Sequence, residues 1–339
     1  MTGRPLAVTL GDPAGIGAEI IVKAWNAVRA EGPPFLVIGD ADCLRSAPGG
    51  LGTPVQTIGS PAEADKVFAT AIPVLHQPMS APVVAGKPSP DHARSVIGWI
   101  ETAVGLALTG AVKGIVTAPI AKAPLYAAGF RFPGHTEFIA ELTADVPFSG
   151  TRGPVMMLTA RDLRACLVTI HTPLSEVPEL VTAERVCRTA RVVHESMKRD
   201  FGIAAPRLAL AALNPHAGES GSIGLEEIEV LIPAAAALRA EGINISDPRP
   251  ADTLFHDEAR ATYDAVLCLY HDQALIPVKT LDFWGGVNTT LGLPVIRTSP
   301  DHGTGFDIAG QGIARADSLI AAIRLAGTMA AARARVVSG

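Results

Sequence analysis

Residues 270–312 read YHDQALIPVKTLDFWGGVNTTLGLPVIRTSPDHGTGFDIAGQG. The apolar run AVLCLY leads into His271 and Asp272. Lys279, a Gly-Gly-Val-Asn turn at residues 285–288, Arg297 and the loop Asp301-His302-Gly303-Thr304 follow. A short apolar run that ends on polar groups is the pattern of a buried strand whose carboxyl end faces a ligand. Single cations, amides and glycines set among apolar residues suit a small anionic ligand on a rigid scaffold. Any one of these residues is explained as well by a buried strand and its loop; their gathering in one stretch points to a site.

Outward from this stretch the pattern recurs. Short apolar runs alternate with longer amphipathic segments, as βα units do around a largely parallel sheet, so the expected fold class is α/β. LAVTL (residues 6–10) reads as a strand running into GDPAGIGAE and a helix, IIVKAWNAVRAEG, that ends on Gly32. The glycines at 11, 15 and 17 fit backbone approaching an anion at a helix N-terminus, or equally a plain tight turn. The Lys-Ser/Thr of a P-loop and the third glycine of a dinucleotide fingerprint are missing. FLVIGD, PVQTIG, AIPVLHQP and GIVTAP read as further strands. Ser89-Pro90 opens a helix reaching about Thr109, with Ser as N-cap and Pro at the first position. PGHTEFIAELT reads as a turn entering a helix, with His135 and Thr136 where backbone amides face outward. Asp317 or Ser318 starts the last helix.

Three histidines share one topological position. RACLVTIH ends in His171, RLALAALNPH in His216 and AVLCLYH in His271, each at the carboxyl end of a β-rich apolar run. One such histidine is more often structural than a ligand; three at the same position suit a catalytic divalent ion with an open coordination place. His76 follows an apolar run without such company and reads as structural. Asp272 adjoins His271, and Asp252 sits in RPADTLFHDE. Each could ligate the metal, fix an imidazole tautomer or cap a helix.

The remaining bounds come from composition. The chain has 339 residues, 48% apolar, with a net charge of -5. That length suits two domains, each with its own core. The slight acidity argues against nucleic acid, which calls for a basic patch. No apolar run is long enough to span a bilayer, and the N-terminus lacks the pattern of a signal peptide, so no membrane association and a cytoplasmic location are expected. The four cysteines, Cys43, Cys166, Cys187 and Cys268, are widely spaced; Cys166 and Cys268 lie in apolar runs and read as core residues.

Through GDPAGIGAE, GHTEF, HTPLSEVP, LNPHAGE, PADTLF, YHDQ, GVNTTLGLP with IRTS, and DHGT, the sequence resembles the 4-hydroxythreonine-4-phosphate dehydrogenase family of vitamin B6 biosynthesis. The resemblance runs nearly end to end. It implies two α/β/α domains with a cleft between them, like those of isocitrate and isopropylmalate dehydrogenases, and a homodimer with shared active sites. DHGTGFDIAGQGIA is similar to the cofactor loop of those dehydrogenases. Expected boundaries are 1–130 plus 300–339 for a cofactor-side domain and 131–299 for a domain carrying metal and phosphate ligands. His171, His216 and His271 match the family's metal ligands, for zinc, magnesium or cobalt. His135, Thr136, Lys279, Asn288 and Arg297 match substrate-binding positions. Asp252 and Asp272 match acidic residues near the metal and are the candidate catalytic carboxylates. Asp301, His302, Gly303 and Thr304 are expected to bind NAD or NADP. The implied reaction is metal-dependent NAD(P)-linked oxidation, with decarboxylation, of the small phosphorylated hydroxy acid 4-phosphohydroxy-L-threonine to 3-amino-2-oxopropyl phosphate.

LDFWGGVNTT and Pro300 look instead like a paralogous branch. Its members resemble threonate or erythronate 4-phosphate dehydrogenases giving dihydroxyacetone phosphate, or more distantly cis-dihydrodiol dehydrogenases. From other classes, an acyl or phosphoryl transferase on a related scaffold, or a binding module for phosphorylated sugar acids, leaves the three histidines without a role.

Overall fold

The computed structural model describes residues 3–338. Its strands are β1 (Leu6–Thr9), β2 (Phe35–Gly39), β3 (Val55–Thr57), β4 (Ile72–His76), β5 (Ile115–Thr117), β6 (Val155–Ala160), β7 (Leu163–Leu167), β8 (Arg207–Ala211), β9 (Asn244–Arg249), β10 (Ala265–Cys268), β11 (Val287–Leu291) and β12 (Arg297–Pro300). The longer helices are α1 (Gly17–Val28), α2 (Ala93–Leu108), α3 (His135–Leu142), α4 (Ala183–Phe201), α5 (Ile232–Ala240), α6 (His271–Leu281) and α7 (Asp317–Ser338). The chain divides into two compact units, residues 1–147 with 294–330 and residues 148–293 with 331–339.

In the first unit the strand order is β3-β4-β2-β1-β5-β12, with neighbouring strands parallel. β1, β2, β5 and β12 are buried along their whole length. For β1, β2 and β5 that is what an apolar run covered on both faces requires, and why these segments read as continuous rather than alternating; β12, Arg-Thr-Ser-Pro, is buried although it is mostly polar. α2 packs on β1, β2 and β5, and α3 on α2. Ser89 caps the entry to α2, its hydroxyl accepting from Asp91 N at 3.2 Å. The boundaries lie inward of the expected 130 and 300. His135 and Thr136 open a helix that packs on α2, and Arg297 opens a strand paired with β5, so all three belong to the first unit.

In the second unit the order is β11-β6-β7-β10-β8-β9, with β11, β6 and β7 antiparallel and β7, β10, β8 and β9 parallel. Alternate residues separate its two faces. Cys166, Leu208, Leu210, Ala265 and Leu267 join α4 and α5 in one core, through Val186, Ala190, Val193, Met197, Ala235 and Leu238. Ala165, Leu167, Ala209, Ala211, Val266 and Cys268 join Ala274 and Val278 of α6 in the other. This sheet is thus covered by helices on both sides, and Cys166 and Cys268 are core residues, as expected. α4 starts at a Thr182 cap that accepts from Arg185 N at 3.2 Å and ends at Gly202, in the left-handed region at φ 69°.

Candidate active site

β7, β10 and β8 are adjacent and parallel, so their carboxyl ends share one edge of the second unit's sheet. Each strand is followed within a few residues by one of the three histidines. His171 lies in the loop after β7, His271 is the first residue of α6 after β10, and His216 sits in a turn after β8. Side chains delivered this way are aimed by backbone that the sheet holds rigid. The His171 and His271 rings lie 5.9 Å apart between centroids, tilted by 44°. His271 Nδ1 is 2.7 Å from Asp272 Oδ1. A carboxylate only accepts, so that contact puts the ring proton on Nδ1 and leaves the Nε2 lone pair for a ligand. That contact is the one expected of a carboxylate that fixes an imidazole tautomer.

His216 reaches its place by unusual backbone. His216, Ala217, Gly218, Glu219 and Ser220 run through φ values of 52°, 52°, 77°, 44° and 55°, a left-handed turn. For each residue with a Cβ this conformation costs about 1–2 kcal/mol, so the surroundings must hold it. Asp252 is exposed in the 3-10 turn Ala251–Thr253. The next helix begins only at Asp257, so Asp252 is not its N-cap.

Three imidazoles on adjacent strand ends, one with its tautomer set by a carboxylate, are a donor set that fits a divalent cation such as zinc or cobalt. Among the described residues, no three His, Cys, Asp or Glu groups gather into a metal cluster within the single chain.

Two expected substrate residues also lie in the second unit. Lys279, in the last turn of α6, holds its ammonium 5.1 Å from the centre of the Phe283 ring. Asn288 is on β11 opposite Leu158, and its Oδ1 is buried without a hydrogen-bond partner. The Gly-Gly-Val-Asn segment is therefore a turn only up to Gly286; Val287 already belongs to the strand.

In the first unit, Arg297 is 3% exposed, and its Nε and Nη2 both donate to Thr117 Oγ1, at 3.2 and 2.8 Å. Burial pulls its pKa down to about 10, opposed by the charge of Glu137. The guanidinium therefore stays charged at neutral pH. His135 Nε2 is buried without a partner, and burial, reinforced by the Arg297 charge, holds the imidazole well below its usual pKa. It is neutral at pH 7, beside a fixed cation. An unsatisfied buried acceptor or donor costs about 1–3 kcal/mol, a debt that a polar ligand can relieve at both His135 and Asn288. Thr136 follows His135 into α3.

The Asp301–Thr304 loop follows β12. Asp301 N donates to Ser318 Oγ at 3.0 Å, His302 Nδ1 contacts Gly303 O, and Ile16 N donates to Thr304 O at 2.9 Å. Within GDPAGIGAE it is Gly15 that makes room for this packing. A Cβ on Gly15 would stand 2.7 Å from Thr304 O, and one on Gly11 would stand 2.5 Å from Pro119 O. Glu19 and Lys23 complete the seat. Glu19 Oε1 accepts from Ala314 N and from Lys23 Nζ, which also donates to Gly312 O and Ala314 O. The segment forms a tight turn, in which Gly15 N donates to Asp12 O at 3.1 Å and Ala14 N to Asp12 Oδ1 at 3.0 Å. Thr117, Glu19 and Lys23 escaped notice in the sequence. Only Glu19 left a signal there, as an acid beside the apolar run of α1. His76 is structural, accepting from Ala41 N at 3.1 Å.

Residues 31–326 match the family model described as pyridoxal phosphate biosynthetic protein PdxA. A 4-hydroxythreonine-4-phosphate dehydrogenase from Caulobacter vibrioides is 66% identical over 98% of this chain and 99% of its own length. The crystal structure of a 4-hydroxythreonine-4-phosphate dehydrogenase from Klebsiella pneumoniae superposes with a TM-score of 0.87 at 40% identity, covering 97% of this chain and 100% of that one. A terephthalate 1,2-cis-dihydrodiol dehydrogenase from Burkholderia xenovorans is more distant, with a TM-score of 0.66 at 28% identity over 96% of this chain and 98% of that one. No helix among the described residues is long and apolar enough to cross a membrane.

Proposed function

Because the chain belongs to the PdxA family and is a dehydrogenase of it, we propose that it oxidises 4-phosphohydroxy-L-threonine at C3 and releases carbon dioxide to give 3-amino-2-oxopropyl phosphate, in pyridoxal phosphate biosynthesis. The 66% identity to a relative of that name favours the amino substrate over the sugar-acid branch suggested by LDFWGGVNTT and Pro300. The dihydrodiol reading rests on a relative at 28% identity.

The observation that carries this reading is the set of three imidazoles on adjacent parallel strand ends, with Asp272 fixing the tautomer of His271. His171, His216 and His271 hold a divalent ion: zinc, magnesium or cobalt. When bound, that ion would supply Lewis-acid polarisation of the substrate hydroxyl, and a nicotinamide cofactor, NAD or NADP, would supply the hydride-accepting group. Asp252 is exposed and accepts the hydroxyl proton, while Asp272 keeps the His271 lone pair turned outward. Arg297 and Lys279 take the substrate's phosphate, because a dianion needs fixed cations and donors. Neutral His135, with Thr136 and Asn288, offers the uncharged polar contacts. The Asp301–Thr304 loop binds the nicotinamide cofactor, with Gly15 packed against Thr304 and the Glu19–Lys23 clasp holding Gly312 and Ala314 farther along the chain. Anchoring the remote phosphate supplies binding energy for orienting the reacting carbon.

The working form in this reading is a homodimer whose second copy completes the metal site. Treatment with a chelator should abolish turnover and a divalent ion should restore it, with His216→Ala folding normally but failing to retain metal. Full turnover by the chelated, metal-free protein would remove the metal from the reaction.

A further inference from the structure

Glu227 has no place in the chemistry above, yet its carboxylate is 1% exposed and fully engaged. Oε1 accepts from Leu213 N and Asn214 N, both at 2.8 Å, and Oε2 accepts from Asn214 Nδ2 at 2.9 Å. Asn214 Nδ2 also donates to Glu226 Oε2 at 2.6 Å. These contacts grip the two residues that leave β8 just ahead of the left-handed turn carrying His216. The far side of the turn is closed the same way. A Cβ on Gly218, inside the turn, would stand 2.6 Å from Glu227 Oε2, and a Cβ on Gly224 would collide with the Asn214 amide. Both glycines have positive φ, 77° and 140°. One buried carboxylate therefore ties the entry to the turn and packs against its middle. Several residues that disfavour left-handed backbone are held there, and the imidazole of His216 projects from the first of them.

We propose that Glu227 is a positioning residue for the metal site: by fixing Leu213 and Asn214 it holds the left-handed turn that presents His216. The inference rests on His216 being a metal ligand, as proposed above. A group that orients a ligand in this way affects metal affinity typically by about 10–100-fold. It predicts that metal binding is lost out of proportion to folding stability.

The test uses the full-length protein stripped of metal and titrated with cobalt(II), reading the visible ligand-field absorption and the dissociation constant against a competing chelator. Glu227→Ala should weaken cobalt binding at least about tenfold and alter the ligand-field band. Glu227→Gln should recover most of the affinity, because its amide oxygen still accepts from both backbone groups. The control is Leu238→Ala, which opens a cavity in the same core away from the turn. It should lower the melting temperature and leave cobalt affinity unchanged. Cobalt binding by Glu227→Ala equal to wild type would overturn the proposal, and so would a loss of affinity in Leu238→Ala matching its fall in melting temperature. If Glu227→Ala does not fold, Asn214→Ala decides: about threefold or more weakening is expected from losing only the side-chain half of the grip, and unchanged affinity overturns the proposal. Wild-type protein that binds no cobalt would remove both the metal reading and this one; wild-type binding with unaffected variants would remove this one alone.

Discussion

Arg297 is a buried cation whose fork is set by Thr117, and that constrains what can replace it. An ammonium carries the charge but not the planar pair of donors. Arg297→Lys should therefore lower kcat/KM for the phosphorylated substrate by about tenfold or more, since charge-assisted hydrogen bonds contribute roughly 1.5–3 kcal/mol each. Steady-state kinetics checks this, and unchanged kcat/KM would take Arg297 out of the phosphate site. His135 is the neighbouring titratable group, and its folded pKa lies well below the ordinary value through burial and the Arg297 charge. Above the unfolded pKa of about 6.5 the ring is neutral in both states, and its full contribution to stability is present. As pH falls below that value the unfolded chain takes up a proton that the folded chain refuses, and stability declines until the folded pKa is reached. Urea denaturation between pH 7 and pH 5 should show a steeper loss in wild type than in His135→Gln. The difference in slope should be at most about 1.4 kcal/mol per pH unit. Parallel slopes would mean that His135 protonates freely in the folded protein.

The strands that carry the histidines were legible because AVLC, RLALA and LRACL are short, apolar and each followed by a polar turn. That pattern does not depend on tertiary context. The turn holding His216 was not legible, since nothing in PHAGES announces four left-handed residues with side chains, and the carboxylate that holds them lies beyond Gly224. The hairpin β6–β7 was hidden for a related reason: Arg161 takes φ 52° at its turn without the Asn-Gly or Asp-Gly signal that marks such turns. In GDPAGIGAE the glycines were visible, but what Gly15 approaches is Thr304, in a loop far away in sequence. Gly15→Ala puts a methyl against Thr304 O and should push that loop off α1. Overpacking of this kind costs roughly 1–3 kcal/mol, so binding of the nicotinamide cofactor should weaken by about five- to a hundredfold. Equilibrium titration of NADH fluorescence measures it. Cofactor affinity equal to wild type would separate this loop from cofactor binding.

At the scale of the molecule, the α/β class could be read from the alternation of runs, whereas the break at 147 and 293 could not. It depends on α3 packing against α2 and on β12 pairing with β5, which no local signal encodes. Assembly is the other property of the whole. His171→Ala and His271→Ala chains, each inactive, can be unfolded together and refolded in equal amounts. If the second copy supplies His271, each mixed dimer has one site with both lesions and one with neither. Half the dimers are mixed, so roughly a quarter of wild-type activity should return. A site built from the His171 and His271 of one chain, which stand 5.9 Å apart here, would leave the mixture inactive. All of this depends on the chain being a metal-dependent dehydrogenase of a phosphorylated hydroxy acid. Metal-free protein, given 4-phosphohydroxy-L-threonine with NAD or NADP, should produce no reduced cofactor. Adding a divalent ion should start reduction accompanied by release of carbon dioxide, with threonate and erythronate 4-phosphates turned over poorly. Reduction at full rate without metal, or none with metal and either cofactor, would contradict the account.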